Sequence, residues 1–141
     1  MKAVYPVMFT QTNDEKDTIL IEVPDLEIIT EGYGIADAIK MARDAIGLKG
    51  ITLEDMKQSI PTPSKIKEVD LSALTFKDMG DSFVSTVNVN LKIYRKIMDN
   101  KSVRRNIALP NRLNREAEQA HINVSKVLQE ALMEVLGLNK L

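Results

Sequence analysis

An apolar, β-prone run at residues 4–10 contains Tyr5 and Phe9, and residues 18–23 alternate between apolar and polar well enough to be its hairpin partner. The polar stretch 11–17 between them predicts the turn. Pro24 and Asp25 then punctuate the chain, and residues 26–30 predict a third short strand, so the opening is a small meander. At residue 33 the period changes. Ile35, Ala38, Ile39, Ala42, Ala45 and Ile46 share one helical face, with Asp37, Lys40, Arg43 and Asp44 largely outside it, which predicts a helix over 33–47 packed on the sheet. Gly34 stands near its cap and Gly47 at its stop. Thr52 is placed to cap a short helix through Gln58, with Asp55 in the capping-box position. In the run Ile60, Pro61, Thr62, Pro63, Ser64 each proline biases its predecessor away from helix, so this stretch runs extended and 65–80 is irregular. Alternation returns at 82–90 through Phe83, Val87 and Val89, a fourth strand joining the meander. Residues 91–98 predict an amphipathic helix through Leu91, Tyr94, Ile97 and Met98, and 99–102 a polar linker.

Residues 103–109 alternate again: Val103, Arg105, Ile107 and Leu109 share one face, and Arg104, Asn106 and Ala108 the other. Pro110 ends this strand and suits the first turn of a helix. That helix, over 111–121, carries Leu113, Ala117 and Ala120 on one stripe. Asn123 is a good N-cap for a second helix with a broad apolar face of Val124, Val127, Leu128, Ala131, Leu132, Val135 and Leu136, stopped by Gly137. A lone strand leaves two unpaired edges, and this face needs more cover than the preceding helix provides. Two copies pairing their strands antiparallel and burying their second helices together solve both problems, so an obligate dimer is expected.

Strand, proline, helix, turn and helix in this order resemble the ribbon-helix-helix repressors, whose paired strands lie in the DNA major groove. On that resemblance Arg104, Asn106 and Ala108 read bases. Asn123, Val124, Ser125 and Lys126 hold phosphate at a helix N-terminus, and Ile107, Leu109, Val127, Leu128, Ala131, Leu132 and Val135 form the dimer core. A dimerisation arm built from an amphipathic helical pair is the plainer alternative.

Hydrophobic content of 44% in 141 residues suits one globular domain or two small ones, and without cysteine there is no disulfide framework or thiolate metal site. The first residues turn acidic early and lack a continuous apolar run, and no later stretch reaches membrane-spanning length, so a cytoplasmic protein without membrane association is expected. Net charge is −1, yet residues 1–60 hold six Lys/Arg against eleven Asp/Glu, whereas residues 101–141 hold seven against four. The basic end fits phosphate neutralisation and the acidic end would attract a basic protein.

Taken over the whole chain, Tyr5 and Pro6, the turn Val23, Pro24, Asp25, Leu26, the approach Thr30, Glu31, Gly32 to an alanine-rich helix, the run from Ile60 to Ser64, and Val87, Asn88, Val89 before Tyr94 and Arg95 resemble the HicB antitoxin family. The resemblance implies an α+β fold: a partial ribonuclease-H-like antiparallel sheet with a packed helix over 1–98, a linker at 99–102, and a ribbon-helix-helix domain over 103–141. It implies an antitoxin that neutralises HicA, a small basic mRNA-cleaving toxin, and represses its own operon as a homodimer or higher even oligomer on double-stranded operator DNA. The acidic end of the sheet offers Glu22, Asp25, Glu31 and Tyr33 as toxin contacts. Two departures stand out: Glu27, Ile28 and Ile29 follow Leu26 where many relatives have Pro-Gly-Cys, and Gly34 replaces the usual Thr or Ser cap.

A ribonuclease-H-like sheet invites a metal-dependent nuclease reading through Glu22, Asp25, Glu31 and Asp37. Their spacing identifies no converging set, and Asp14, Glu15 and Asp17 sit on a turn without the Gly or terminal Glu of a calcium loop. His121, the only histidine, excludes a two-histidine site within one chain and falls at the turn between the last two helices. No catalytic residue, metal or cofactor is therefore expected. A repressor whose N-terminal domain senses another ligand or partner is the second reading.

Overall fold

The computed structural model describes residues 1–138. The chain divides into two compact units, Met1–Lys101 and Ser102–Leu141.

The first unit is a four-stranded antiparallel sheet in the order β3-β2-β1-β4, built from β1 (Lys2–Gln11), β2 (Thr18–Val23), β3 (Ile28–Tyr33) and β4 (Asp81–Asn90). The fourth strand joins beside the first, and pairs with it along its whole length from Lys2↔Asn90 to Gln11↔Asp81. Pro6 sits in this central strand without breaking a ladder. The Thr12 N–H bonds to the Thr18 carbonyl, so even-numbered residues of β1 turn toward β2; that pairing stops at Met8↔Glu22, and the N–H that Pro6 lacks has no strand opposite it.

One helix, α1 (Ile35–Asp55), covers one face of the sheet. Ala38, Ala42 and Ile46 pack there against Tyr5, Val7, Phe9, Ile19, Ile21, Val23, Val87 and Val89, all of them buried. The alternation read in β2 and β4 follows burial on this face, whereas the continuous apolar run of β1 is buried on both faces from Tyr5 to Thr10. The small residues of α1 let helix and sheet approach closely.

The helix corrects two expectations. It runs through Gly47, and it absorbs the separate short helix expected at 52–58, ending at Asp55. The Thr52 hydroxyl donates to the Leu48 carbonyl one turn back, as a hydroxyl inside a helix does, and caps nothing. Glycine inside a helix costs about 1 kcal/mol relative to alanine, so two of them need a reason. It lies in α2 (Leu91–Asp99), which crosses this stretch: a Cβ on Gly47 would stand 2.6 Å from the Tyr94 ring, and one on Gly50 2.7 Å from a Leu91 methyl. The Arg95 guanidinium fastens the same crossing, bonding Glu54 at 2.9 Å and Asp55 at 3.0 Å.

The third strand begins two residues later than expected. Pro24–Leu26 form a single 3-10 turn, and Glu27 closes it in the left-handed region at φ 53°, so extended backbone resumes only at Ile28. Gly34, the N-cap of α1, has φ 83°. That conformation favours glycine and explains why no Thr or Ser stands there. No side chain caps the first turn; Asp37 instead reaches back to the residue before the cap, its carboxylate accepting the Tyr33 N–H at 2.9 Å.

The second unit contains α3 (Asn111–Gln119) and α4 (Val124–Leu136), joined by a turn in which His121 adopts φ 55°. Asn123 caps α4 by accepting the Lys126 N–H, and Gly137 closes it at φ 67°. Residues 103–109, expected as a strand, form no ladder among the described residues and are exposed except for half-buried Leu109. An isolated strand of this kind has no hydrogen-bond partner of its own.

Candidate functional site

On the far face of the sheet from α1, register sets Met8, Thr10, Leu20 and Glu22 beside Ile29, Glu31 and Tyr33. Residues 59–80 wrap from the helix side to this face, fastened at three points. The buried Tyr5 hydroxyl donates to the Pro61 carbonyl at 2.7 Å. Asp25 accepts both the N–H and the hydroxyl of Ser64, at 2.7 Å each. Glu22 accepts the N–H of Thr75 at 3.0 Å and its hydroxyl at 2.8 Å, beside buried Leu74. The Tyr5 phenol is pushed above its ordinary pKa, first by burial and then by the Asp25 charge.

The four acids suggested as toxin contacts or nuclease ligands therefore have different surroundings. Glu22 and Asp25 are engaged with Thr75 and Ser64, and Asp37 with the Tyr33 amide. Glu31 and Tyr33 are exposed on β3, Tyr33 at 54%. Among the described residues no group of three or more His, Cys, Asp or Glu is arranged to hold a metal ion. In the hairpin turn, Asp14 accepts the N–H of Thr18 at 2.9 Å and its hydroxyl at 2.6 Å, and these bonds hold its carboxyl below the ordinary aspartate range. Ser64, Thr75 and Tyr5 escape sequence reading as site residues because their partners lie far away in the chain.

The second unit has no buried residue among those described. Arg104, Asn106 and Ala108 are all exposed, and so is Ile107, at 54%. Of the expected dimer core, Leu109 and Leu128 are half-buried in the single chain, while Ala131, Val127, Leu132 and Val135 stand exposed, the last at 82%. At the start of α4 the Lys126 N–H is taken by the Asn123 side chain and the Val127 N–H by the Asn123 carbonyl. The amides of Val124 and Ser125 have no partner among the described residues, which leaves them pointing out of the positive end of the helix. Arg112 pairs with Glu116 along α3 at 3.2 Å, an exposed pair worth little energetically.

Among the described residues no helix is long and apolar enough to cross a membrane. No curated protein matches the chain. Chains of solved structures do, among them the following two. A chain of a toxin-antitoxin complex from Streptococcus pneumoniae is 24% identical with a TM-score of 0.60, over 95% of this chain and 99% of that one. The antitoxin HicB of Burkholderia pseudomallei is 25% identical with a TM-score of 0.50, over 98% and 99%. The family profile described as HicB_like antitoxin of bacterial toxin-antitoxin system matches residues 5–132, spanning both units. The chain belongs to the HicB-like antitoxin family of bacterial toxin-antitoxin systems.

Proposed function

We propose that the chain neutralises an mRNA-cleaving toxin of the HicA type through its first unit and represses its own operon through its second. The observation that carries the reading is the family match across both units, one with a complete core and one without. A forty-residue segment with exposed Ile107, Val127, Leu132, Val135 and Leu136, and no buried residue among those described, cannot be stable alone. A second copy supplies what is missing: residues 103–109 pair antiparallel with their counterpart, and Ile107, Leu109, Val127, Leu128, Ala131, Leu132 and Val135 close a shared core.

In that ribbon-helix-helix dimer Arg104 and Asn106 reach base edges, Arg toward guanine O6/N7 and Asn toward adenine N6/N7, with Ala108 against a thymine methyl. The free amides of Val124 and Ser125 hold a phosphate, with Lys126 beside them adding charge. The acidic first unit suits a basic toxin.

Co-expression with the product of the adjacent reading frame tests the reading. A complex in which that product no longer cleaves RNA, and which shifts DNA from the operon's own promoter, is the expected result. Failure to form any complex would overturn the antitoxin assignment for this pair.

A further inference from the structure

The two edges of the sheet differ, and the backbone shows how. The Gly34 N–H bonds to the Asp17 carbonyl at 2.8 Å, which continues the register Thr18↔Tyr33 by one residue. Antiparallel ladders alternate, so Gly32, Thr30 and Ile28 turn their N–H and C=O toward β2, while Tyr33, Glu31 and Ile29 turn theirs away. The Tyr33 amide fits this, since it bonds to Asp37 and not to β2. At Ile29 and Glu31 the outward N–H and C=O have no partner among the described residues. The side chains of these same residues lie on the far face, away from α1, with Ile29 59% exposed.

Natural sheet edges are commonly blunted with charged side chains, proline or a covering element. Here the charge is all of one sign, which repels a like edge and leaves a basic strand free to pair. From Gln11 to Asp37 the chain holds eight Asp/Glu and a single Lys, and β2 and β3 with their connecting turn carry Glu22, Asp25, Glu27 and Glu31 with no basic residue. At the opposite edge β4 has no acid within the strand beyond Asp81, and the Arg43 guanidinium crosses it, bonding the Asn88 carbonyl at 3.0 Å. A second copy is a poor occupant of the β3 edge, because two such edges would set Glu27 and Glu31 against like charges.

We infer that β3 is an open docking edge for an extended basic segment of the toxin, which adds to the sheet as a fifth strand beyond β3. Its backbone bonds to Ile29 and Glu31. A Lys or Arg opposite Glu31 sets the register, and an apolar residue rests on Ile29 or Tyr33. This rests on the toxin reading above.

Proline at Glu31 separates edge pairing from folding. The Glu31 N–H faces outward, so Glu31→Pro removes a donor that a partner strand needs and none that β2 uses, whereas Thr30→Pro breaks the β2 ladder. The test uses the full chain and the toxin encoded beside it, with binding measured by calorimetry and amide exchange followed by NMR or mass spectrometry. Wild type should gain exchange protection at Ile29 and Glu31 on adding toxin. Glu31→Pro and the double charge reversal Glu27→Lys/Glu31→Lys should each weaken binding by roughly tenfold or more, the loss expected for one hydrogen bond or a set of charge contacts. If Glu31→Pro fails to fold, the charge reversal and the exchange pattern decide. Wild-type binding with no added protection at Ile29 and Glu31, or unchanged affinity in the charge reversal, would overturn the edge assignment while leaving the antitoxin reading intact. Absence of wild-type binding would overturn that reading itself.

Discussion

The Asp25 carboxylate holds Ser64 by both its N–H and its hydroxyl, at 2.7 Å each, across 39 residues of chain. It sits in the turn between β2 and β3, so this contact ties residues 59–80 to the end of the sheet. A carboxylate accepting two bonds at a partly buried site is worth more than either bond alone, and losing it leaves the Ser64 amide without its acceptor. Asp25→Ala should therefore cost about 1–3 kcal/mol, and Asp25→Asn less because one acceptor oxygen remains. Urea unfolding gives the energies, and amide exchange at Ser64 locates the effect. Exchange at Ser64 unchanged in Asp25→Ala would show that the contact does not hold the segment.

The meeting of Gly47 and Tyr94 makes a prediction with a change of sign. Gly47→Ala forces a methyl into the Tyr94 ring, and overpacking of this kind costs about 1–3 kcal/mol. Once the ring is removed by Tyr94→Ala, the same substitution gains helix propensity and should stabilise by about 1 kcal/mol. A double-mutant cycle by thermal unfolding reads the coupling. Equal effects of Gly47→Ala in both backgrounds would contradict the packing account.

Where the fold was legible, a single segment carried its own signal. The hairpin of β1 and β2, the strand β4, the helix α2 and the Asn123 cap follow from period and cap chemistry, because each needs only its own residues to declare it. Gly47 was misleading for the opposite reason: its local signal is a helix stop, but Tyr94 needs a flat place on α1, and tertiary contact overrode propensity. Glu27 delayed β3 through a left-handed turn residue that no periodicity reveals. Glu22 and Asp25 read as toxin contacts or nuclease ligands, whereas their engagement with Thr75 and Ser64 spans 53 and 39 residues. The alternation at 103–109 forms no ladder among the described residues, and the partner proposed for it is another molecule.

The proposed groove contacts separate by what they read. Arg104→Ala or Asn106→Ala should cost about 1–3 kcal/mol on the operator and narrow its advantage over a scrambled duplex. Ser125→Glu puts a negative charge at the phosphate site and should weaken operator and scrambled DNA alike, because phosphate contacts carry no base information. Titrations of both duplexes at one salt concentration check this. Parental affinity and selectivity in Arg104→Ala and Asn106→Ala would remove both residues from the reading surface.

Toxin neutralisation and DNA binding are proposed to reside in different units, and cutting the chain between them separates the two activities. The α2 helix runs to Asp99 and its last turn is closed by the amides of Asn100 and Lys101, so the cut belongs after Lys101 and not after Met98. Residues 1–101 keep the sheet, α1 and α2 with their core, and should fold, bind the toxin and block its RNA cleavage without shifting operator DNA. Residues 102–141 should dimerise and shift operator DNA without protecting RNA. A well-folded 1–101 fragment that leaves RNA cleavage untouched, or one that shifts the operator by itself, would contradict the division of labour.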